Sequence, residues 1–144
     1  MANIPEEVSD LIAAVQPEKR QRDAGTLLEL MSRATGEQPQ RWGSIIGFGT
    51  YHYSYESGQK GDTCAAGFAP RKAATTIYLV DGIRQHEEAL SRLGPHRTGV
   101  GCLYLTDLTK VDLGVLEGII TTSYSRVMGG TLPQRAREEK VTPG

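Results

Sequence analysis

The chain has 144 residues, the size of one ordinary domain, and a core of that size needs no disulfide or metal to support it. Its formal net charge of −1 offers no basic excess of the kind that nucleic-acid binding uses. The acidic start lacks the apolar stretch of a signal peptide, and no apolar run approaches the roughly 18 residues of a membrane helix. We therefore expect a cytoplasmic protein that binds neither nucleic acid nor membrane.

The first predicted elements are two helices. Apolar residues recur with helical spacing from Val8 to Val15, and Pro5 suits the first turn of that helix. Pro17 interrupts the pattern and can begin a second helix, whose apolar residues lie between Leu27 and Ala34 and which Gly36 ends. Because the link is very short, we expect the two helices to be antiparallel.

Three strands are predicted next. The segment from Ser44 to Tyr55 is rich in β-branched and aromatic residues, and turn-forming residues follow from Ser57 to Asp62. Two further apolar runs cover Cys64 to Ala69 and Thr75 to Val80. This succession is typical of an antiparallel meander.

The remaining pattern predicts a short helix from Arg84 to Leu93, a strand from Cys102 to Leu105, and a last helix that Asp112 caps. Residues 131–144 are polar and lack apolar periodicity, which predicts a disordered tail. The expected fold is therefore a single α+β domain over residues 1–130. It has a mostly antiparallel sheet of four to five strands, two N-terminal helices, a short middle helix and a C-terminal helix.

Cysteine and histidine spacing indicates no metal site. Cys64 and Cys102 belong to no CxxC pair, and we interpret them as buried, reduced thiols. His52, His86 and His96 fall in different predicted elements and match no metal-binding motif. The sequence identifies no cofactor and no catalytic signature.

Several short motifs are distinctive in combination. Through them, over roughly residues 17 to 127, the chain resembles the YdhG-like family of bacterial domains, which are mostly of unknown function. The resemblance implies an α+β fold. One distant relative is regarded as a frataxin-like iron chaperone, so the resemblance also raises iron handling by exposed acids. The motifs are Trp42-Gly43, Ile46 to Gly49, Tyr51 to Tyr53, Gly67 to Lys72, Gly99 to Leu105 and Val111 to Leu116.

The aromatic strand around His52 offers a first group of candidate site residues. Alternate residues of a strand share a face, so His52 is expected beside Ile46 and Phe48, with Tyr51 and Tyr53 on the other side. A histidine on that apolar face has a pKa open to tuning and can donate to a ligand at the rim of a pocket. The alternative is a core histidine whose ring is satisfied by a backbone carbonyl.

Two basic turns offer the second group. Arg71 and Lys72 follow a strand directly, where Arg71 can clamp a carboxylate or phosphate. Thr98 lies in another basic and polar loop, and Trp42 can form an apolar wall. We therefore expect a small anionic molecule to bind in a polar and aromatic pocket. The residues of this expected site are Trp42, His52, Tyr53, Arg71, Lys72 and Thr98.

Two other classes of function stay open at this point. The first is an enzyme that uses His52 as its general acid or base, which requires a cavity and a partner within hydrogen-bond reach. The second is an iron-handling or protein-interaction domain that uses Glu6, Glu7 and Asp10. The sequence is equally compatible with a monomer and a homodimer.

Overall fold

The computed structural model describes residues 4–54 and 60–129, apart from the side chains of residues 53, 54 and 60. The predicted tail over residues 131–144 lies outside this part of the chain. The described residues form four α-helices and six strands: α1 (Glu6–Ala13), α2 (Glu18–Thr35), β1 (Pro39–Trp42), β2 (Ile45–Ser54), β3 (Lys60–Pro70), β4 (Thr75–Tyr78), α3 (Glu87–Leu90), β5 (Arg97–Thr98), β6 (Cys102–Leu105) and α4 (Leu113–Gly129).

The six strands form one antiparallel sheet in the order β1-β2-β3-β4-β6-β5. This confirms the predicted α+β fold and its arrangement of helices. Two short strands, β1 and β5, were not predicted, and β3 begins within the predicted turn. The middle helix is also shorter than expected, because Ile83–His86 forms a 3-10 turn before α3.

The core lies between one face of the sheet and the helices α2 and α4. Apolar residues on β2, β3, β4 and β6 are fully buried there against both helices. Burying one such side chain contributes about 1.5–3 kcal/mol relative to leaving it in water. The largest buried side chains of this core include Leu27, Met31, Ile46, Phe48, Phe68, Ile77, Leu103 and Leu116.

The predicted caps at Asp112 and Gly36 are both confirmed. Asp112 caps α4, since its carboxylate Oδ1 accepts a hydrogen bond from the backbone N–H of Val115 at 3.1 Å. Gly36 ends α2 in the left-handed conformation, with φ of 72°. These caps fix where the two core helices begin and end against the sheet.

Gly49 reverses the side-chain alternation of β2. Its φ is +77°. The pairing of β2 with β3 keeps the same register on both sides of Gly49, with Phe48 opposite Ala66 and Thr50 opposite Cys64. Phe48 packs in the core before this point, and after it Tyr51 packs on the helix side, beside Val127 of α4. The prediction that Tyr51 lies on the face opposite Phe48 is therefore wrong.

The same reversal moves His52 to the face without helices, where its side chain is 76% exposed. The prediction that His52 shares a face with Ile46 and Phe48 is consequently wrong as well. The physical reason is the left-handed backbone at Gly49, which breaks the period of two that the prediction assumed.

A buried carboxylate joins α4 to the loop after β4. Asp81 is 0% exposed, and its oxygens accept hydrogen bonds from Ser123 Oγ at 2.6 Å and His86 Nε2 at 2.8 Å. Nη1 of Arg126 lies 3.3 Å away. Burial alone raises the pKa of Asp81, but the hydrogen bonds from His86 and Ser123 outweigh it and hold this pKa below its ordinary value.

We expect Gly49→Ala to destabilise the fold by about 1–3 kcal/mol, because alanine resists a left-handed φ. An added Cβ would also lie 3.1 Å from both Glu37 Oε2 and Tyr124 Cε1. Urea unfolding measures the change. Gly25→Ala on α2 is the control: no atom lies within 4 Å of its Cβ, so a gain of about 0.5–1 kcal/mol is expected. A Gly49→Ala protein as stable as wild type would contradict this account.

We expect Asp81→Asn to destabilise the protein at neutral pH and to lose this effect in acid. Since the folded-state pKa of Asp81 lies below the ordinary 3.8, the ionised carboxylate stabilises the fold above that value. The contribution is lost as the pH falls through the folded-state pKa. Denaturant unfolding of both proteins between pH 7 and about pH 3 tests this, and a stability difference that stays constant over that range would exclude it.

Candidate functional site

On the sheet face that the described helices leave uncovered, two glycines allow neighbouring side chains to pack against the backbone. A Cβ on Gly47 would lie 2.5 Å from Cβ of Cys64 and 2.8 Å from Cδ1 of Trp42, and one on Gly67 would lie 2.8 Å from Sγ of Cys64. Cys64 and Trp42 therefore pack directly over the backbone of β2 and β3. We call this side of the sheet the open face.

Arg71 is held at one end of the open face by two neutral hydroxyl groups. Its Nη1 donates to Ser44 Oγ at 2.9 Å and its Nη2 donates to the Tyr78 hydroxyl at 3.2 Å. Within the described residues no carboxylate forms an ion pair with Arg71. A guanidinium carries five N–H donors, so this exposed side chain is oriented while its charge and most of its donors stay available.

A buried arginine fixes the loop that carries Arg71. The Arg20 side chain, from α2, donates to the backbone carbonyls of Arg71 at 2.9 Å, Thr106 at 3.0 Å and Lys72 at 3.5 Å. Arg20 is 4% exposed and lies 4.0 Å from the carboxylate of Asp23. Arg20 thus links the turn between β3 and β4 to helix α2.

Aromatic side chains lie on the open face between Arg71 and strand β5. Tyr78 receives the Arg71 hydrogen bond, and Tyr104 stands on the neighbouring strand β6. The Arg97 guanidinium lies 5.3 Å above the Tyr104 ring, in the range of a cation–π contact. The electrostatic effect of the neighbouring Cys102 side chain raises the pKa of Tyr104, and burial adds to this, so the Tyr104 hydroxyl stays protonated and able to donate.

Three of the six predicted site residues lie close together. Trp42 ends β1, two residues before the Ser44 that binds Arg71, and Lys72 follows Arg71 in the same exposed turn. All three residues therefore belong to the two segments that the Ser44–Arg71 hydrogen bond brings together.

The other three predicted residues lie elsewhere. His52 pairs with Asp62 near the start of β3, while Arg71 follows the end of that strand, so about 30 Å of extended strand separates them at ~3.3 Å per residue. Thr98 pairs with the fully buried Leu103 and so faces the helix side of the sheet edge. Tyr53 lies in β2, and its side chain is outside the described part.

Sequence reasoning missed the residues that orient Arg71. The sequence pattern places Ser44 and Tyr78 only within predicted strand segments. Arg20 is a charged residue in a polar stretch of α2, yet it is among the most buried polar residues of the described chain. No local pattern signals these roles, because each partner lies 7 to 51 residues from Arg71.

The remaining candidates for chemistry can also be placed. Within residues 4–54 and 60–129 no group of three or more His, Cys, Asp or Glu residues is placed to hold a metal ion. Both cysteines are free; Cys64 is buried as predicted, while Cys102 is half-buried. No helix in the described part of the chain has the length and apolar character needed to cross a membrane.

Compared with family models, curated proteins and solved structures, the chain gave no match. The resemblance to the YdhG-like family therefore stays a prediction from the motifs.

We expect Arg20→Met to destabilise the protein by about 3 kcal/mol, because it removes the donor of three backbone carbonyls and one of the two cations beside the buried Asp23 carboxylate. Urea unfolding measures the loss. Arg33→Met is the control, since Arg33 forms an exposed ion pair with Glu117 and its removal should leave the midpoint nearly unchanged. Equal midpoints for the two variants would rule out the bracing role of Arg20.

Proposed function

We propose that the open face binds a small anionic molecule that carries a planar or apolar group, with Arg71 as the anchor. The observation that carries this proposal is the Arg71 guanidinium, oriented by two hydroxyls and lacking a carboxylate partner in the described chain. A planar guanidinium matches a carboxylate or phosphate with two parallel hydrogen bonds. Lys72 adds a second positive charge in the same turn.

The surroundings of Arg71 favour a ligand with a ring. Trp42 and Tyr78 are half-buried and each offers an aromatic surface. Tyr78 bonds Arg71 directly, and Trp42 lies two residues before Ser44, the other partner of Arg71. An aromatic side chain presents a large apolar area together with a polar edge, which suits a molecule that has both parts. A simple anion would use Arg71 alone, whereas an aromatic anion would also contact Trp42.

Preorganisation supports the same assignment. The Arg71 side chain is oriented by Ser44 and Tyr78, and its backbone is held by Arg20. Binding therefore costs little conformational freedom at this residue. The two alternatives have no comparable support: His52 is an exposed residue paired with Asp62, and Glu6, Glu7 and Asp10 are exposed on α1.

The test uses intrinsic fluorescence, because Trp42 is the single tryptophan of the chain. Benzoate and phenyl phosphate are titrated against acetate and inorganic phosphate. We expect the aromatic anions to quench Trp42 at lower concentrations than the simple anions. Binding should weaken as salt is added, because an exposed ion pair is screened.

Arg71→Ala should weaken this binding about tenfold or more, since it removes a charge-assisted, bidentate contact. The matched control is Arg84→Ala, which removes another exposed arginine far from Trp42 in the chain and should leave the titration unchanged. The proposal fails if Arg71→Ala binds aromatic anions as wild type does, or if both variants lose binding equally.

A further inference from the structure

A second arginine on the open face, near the edge strand β5, also lacks a carboxylate partner. Arg97 is exposed, and its guanidinium lies 5.3 Å from the centroid of the Tyr104 ring. Within the described residues no carboxylate forms an ion pair with it. The charge of Arg97 is therefore positioned by an aromatic ring and is still available to a ligand.

Two tyrosines lie between Arg71 and Arg97 on this face. The hydroxyl of Tyr78, on β4, accepts a hydrogen bond from Nη2 of Arg71 at 3.2 Å. Tyr104, on the neighbouring strand β6, pairs with Thr76, so it is a diagonal neighbour of Tyr78 at about 7 Å. The side chains thus follow one another across the sheet in the order Arg71, Tyr78, Tyr104, Arg97.

The two guanidinium groups are separated by about two strand spacings. Arg71 bonds to Ser44, which precedes β2, and to Tyr78 of β4, so its guanidinium is centred near β3. The guanidinium of Arg97 lies over a residue of β6, which is two strands from β3. At ~4.8 Å per strand this separation is about 10 Å, too far for one carboxylate to reach both groups.

We propose that the open face binds a small elongated dianion, with one anionic group on Arg71 and the other on Arg97. This inference rests on the proposed function, because it uses the same anchor, and it adds the class of molecule that the site selects. The body of the ligand lies over Tyr78 and Tyr104, whose half-buried rings offer apolar surface. Carboxylate and phosphate both match a guanidinium, so either can supply the two ends.

The charges along this part of the sheet favour a dianion over a neutral molecule or a cation. Lys72 follows Arg71 in the same exposed turn and adds positive charge at that end. The carboxylate of Asp62 pairs with His52 at the opposite end of β3, away from both arginines. A dianion would therefore neutralise the two arginines without meeting a carboxylate between them.

The test compares 4-biphenylcarboxylate with biphenyl-4,4′-dicarboxylate by titration calorimetry. The two acids share one aromatic body and differ only in the second carboxylate at its far end. We expect the diacid to bind about fivefold more tightly, because an exposed ion pair adds a modest gain. Its affinity should also fall more steeply as salt is added.

Terephthalate tests the span of the site, because it carries the same charge as the biphenyl diacid on a single ring. It is too short to reach from Arg71 to Arg97, so it should bind no more tightly than benzoate. A gain as large as that of the biphenyl diacid would overturn the inference, since general attraction between charges would then explain both.

Variants of the second anchor locate the gain. Arg97→Ala should make the two biphenyl acids bind equally and leave the affinity of the monoacid unchanged. Arg97→Lys should keep part of the gain, because it retains the charge but not the planar fork. Arg71→Ala should weaken both acids. Arg84→Ala is the control, since it removes an exposed arginine outside the sheet.

The results separate this inference from the proposed function. The two-ended site is overturned, and the anchor at Arg71 stands, if the monoacid binds through Arg71 but the diacid gains nothing. The same holds if the gain survives in Arg97→Ala. If neither biphenyl acid binds the wild-type protein, the proposed function fails together with this inference.

Discussion

The helices of this fold cover one face of the six-stranded sheet, and that constraint determines what the other face can carry. The covered face is filled by large apolar side chains against α2 and α4. No helix of the described residues covers the open face. Its centre is closed instead by side chains that pack directly on the backbone, with Cys64 over Gly47 and Gly67 and Trp42 over Gly47. Polar and aromatic groups such as Arg71 can then stand at its ends, in contact with solvent.

The fold was predictable wherever a periodic pattern was long enough to be read. The helices α2 and α4 and the strands β2, β4 and β6 repeat apolar residues at helical or strand spacing, so the α+β arrangement followed from them. The strands β1 and β5 are too short for such a pattern. The orientation of His52 was not predictable either, because a period of two cannot reveal that Gly49 adopts a positive φ.

The candidate sites were less predictable, since tertiary contacts create them. The turn at Arg71 could be identified as a basic loop, but Ser44, Tyr78 and Arg20 reach it only in the folded chain. His86 matched no motif, because a His–Asp pair five residues apart has no special spacing in sequence. What marks it is burial beside the Asp81 carboxylate, and this cannot be read from the sequence.

The two edges of the sheet are unusually short, and this affects how copies of the protein can meet. β5 has two residues, and β1 has four, begins with a proline and packs beside α1. An exposed edge strand invites pairing with another chain through its unsatisfied N–H and C=O groups, and short or proline-containing edges offer few of them. Edge-to-edge sheet extension, whether as ordered assembly or as amyloid-like aggregation, is therefore disfavoured, and contacts between copies would have to use side-chain surfaces.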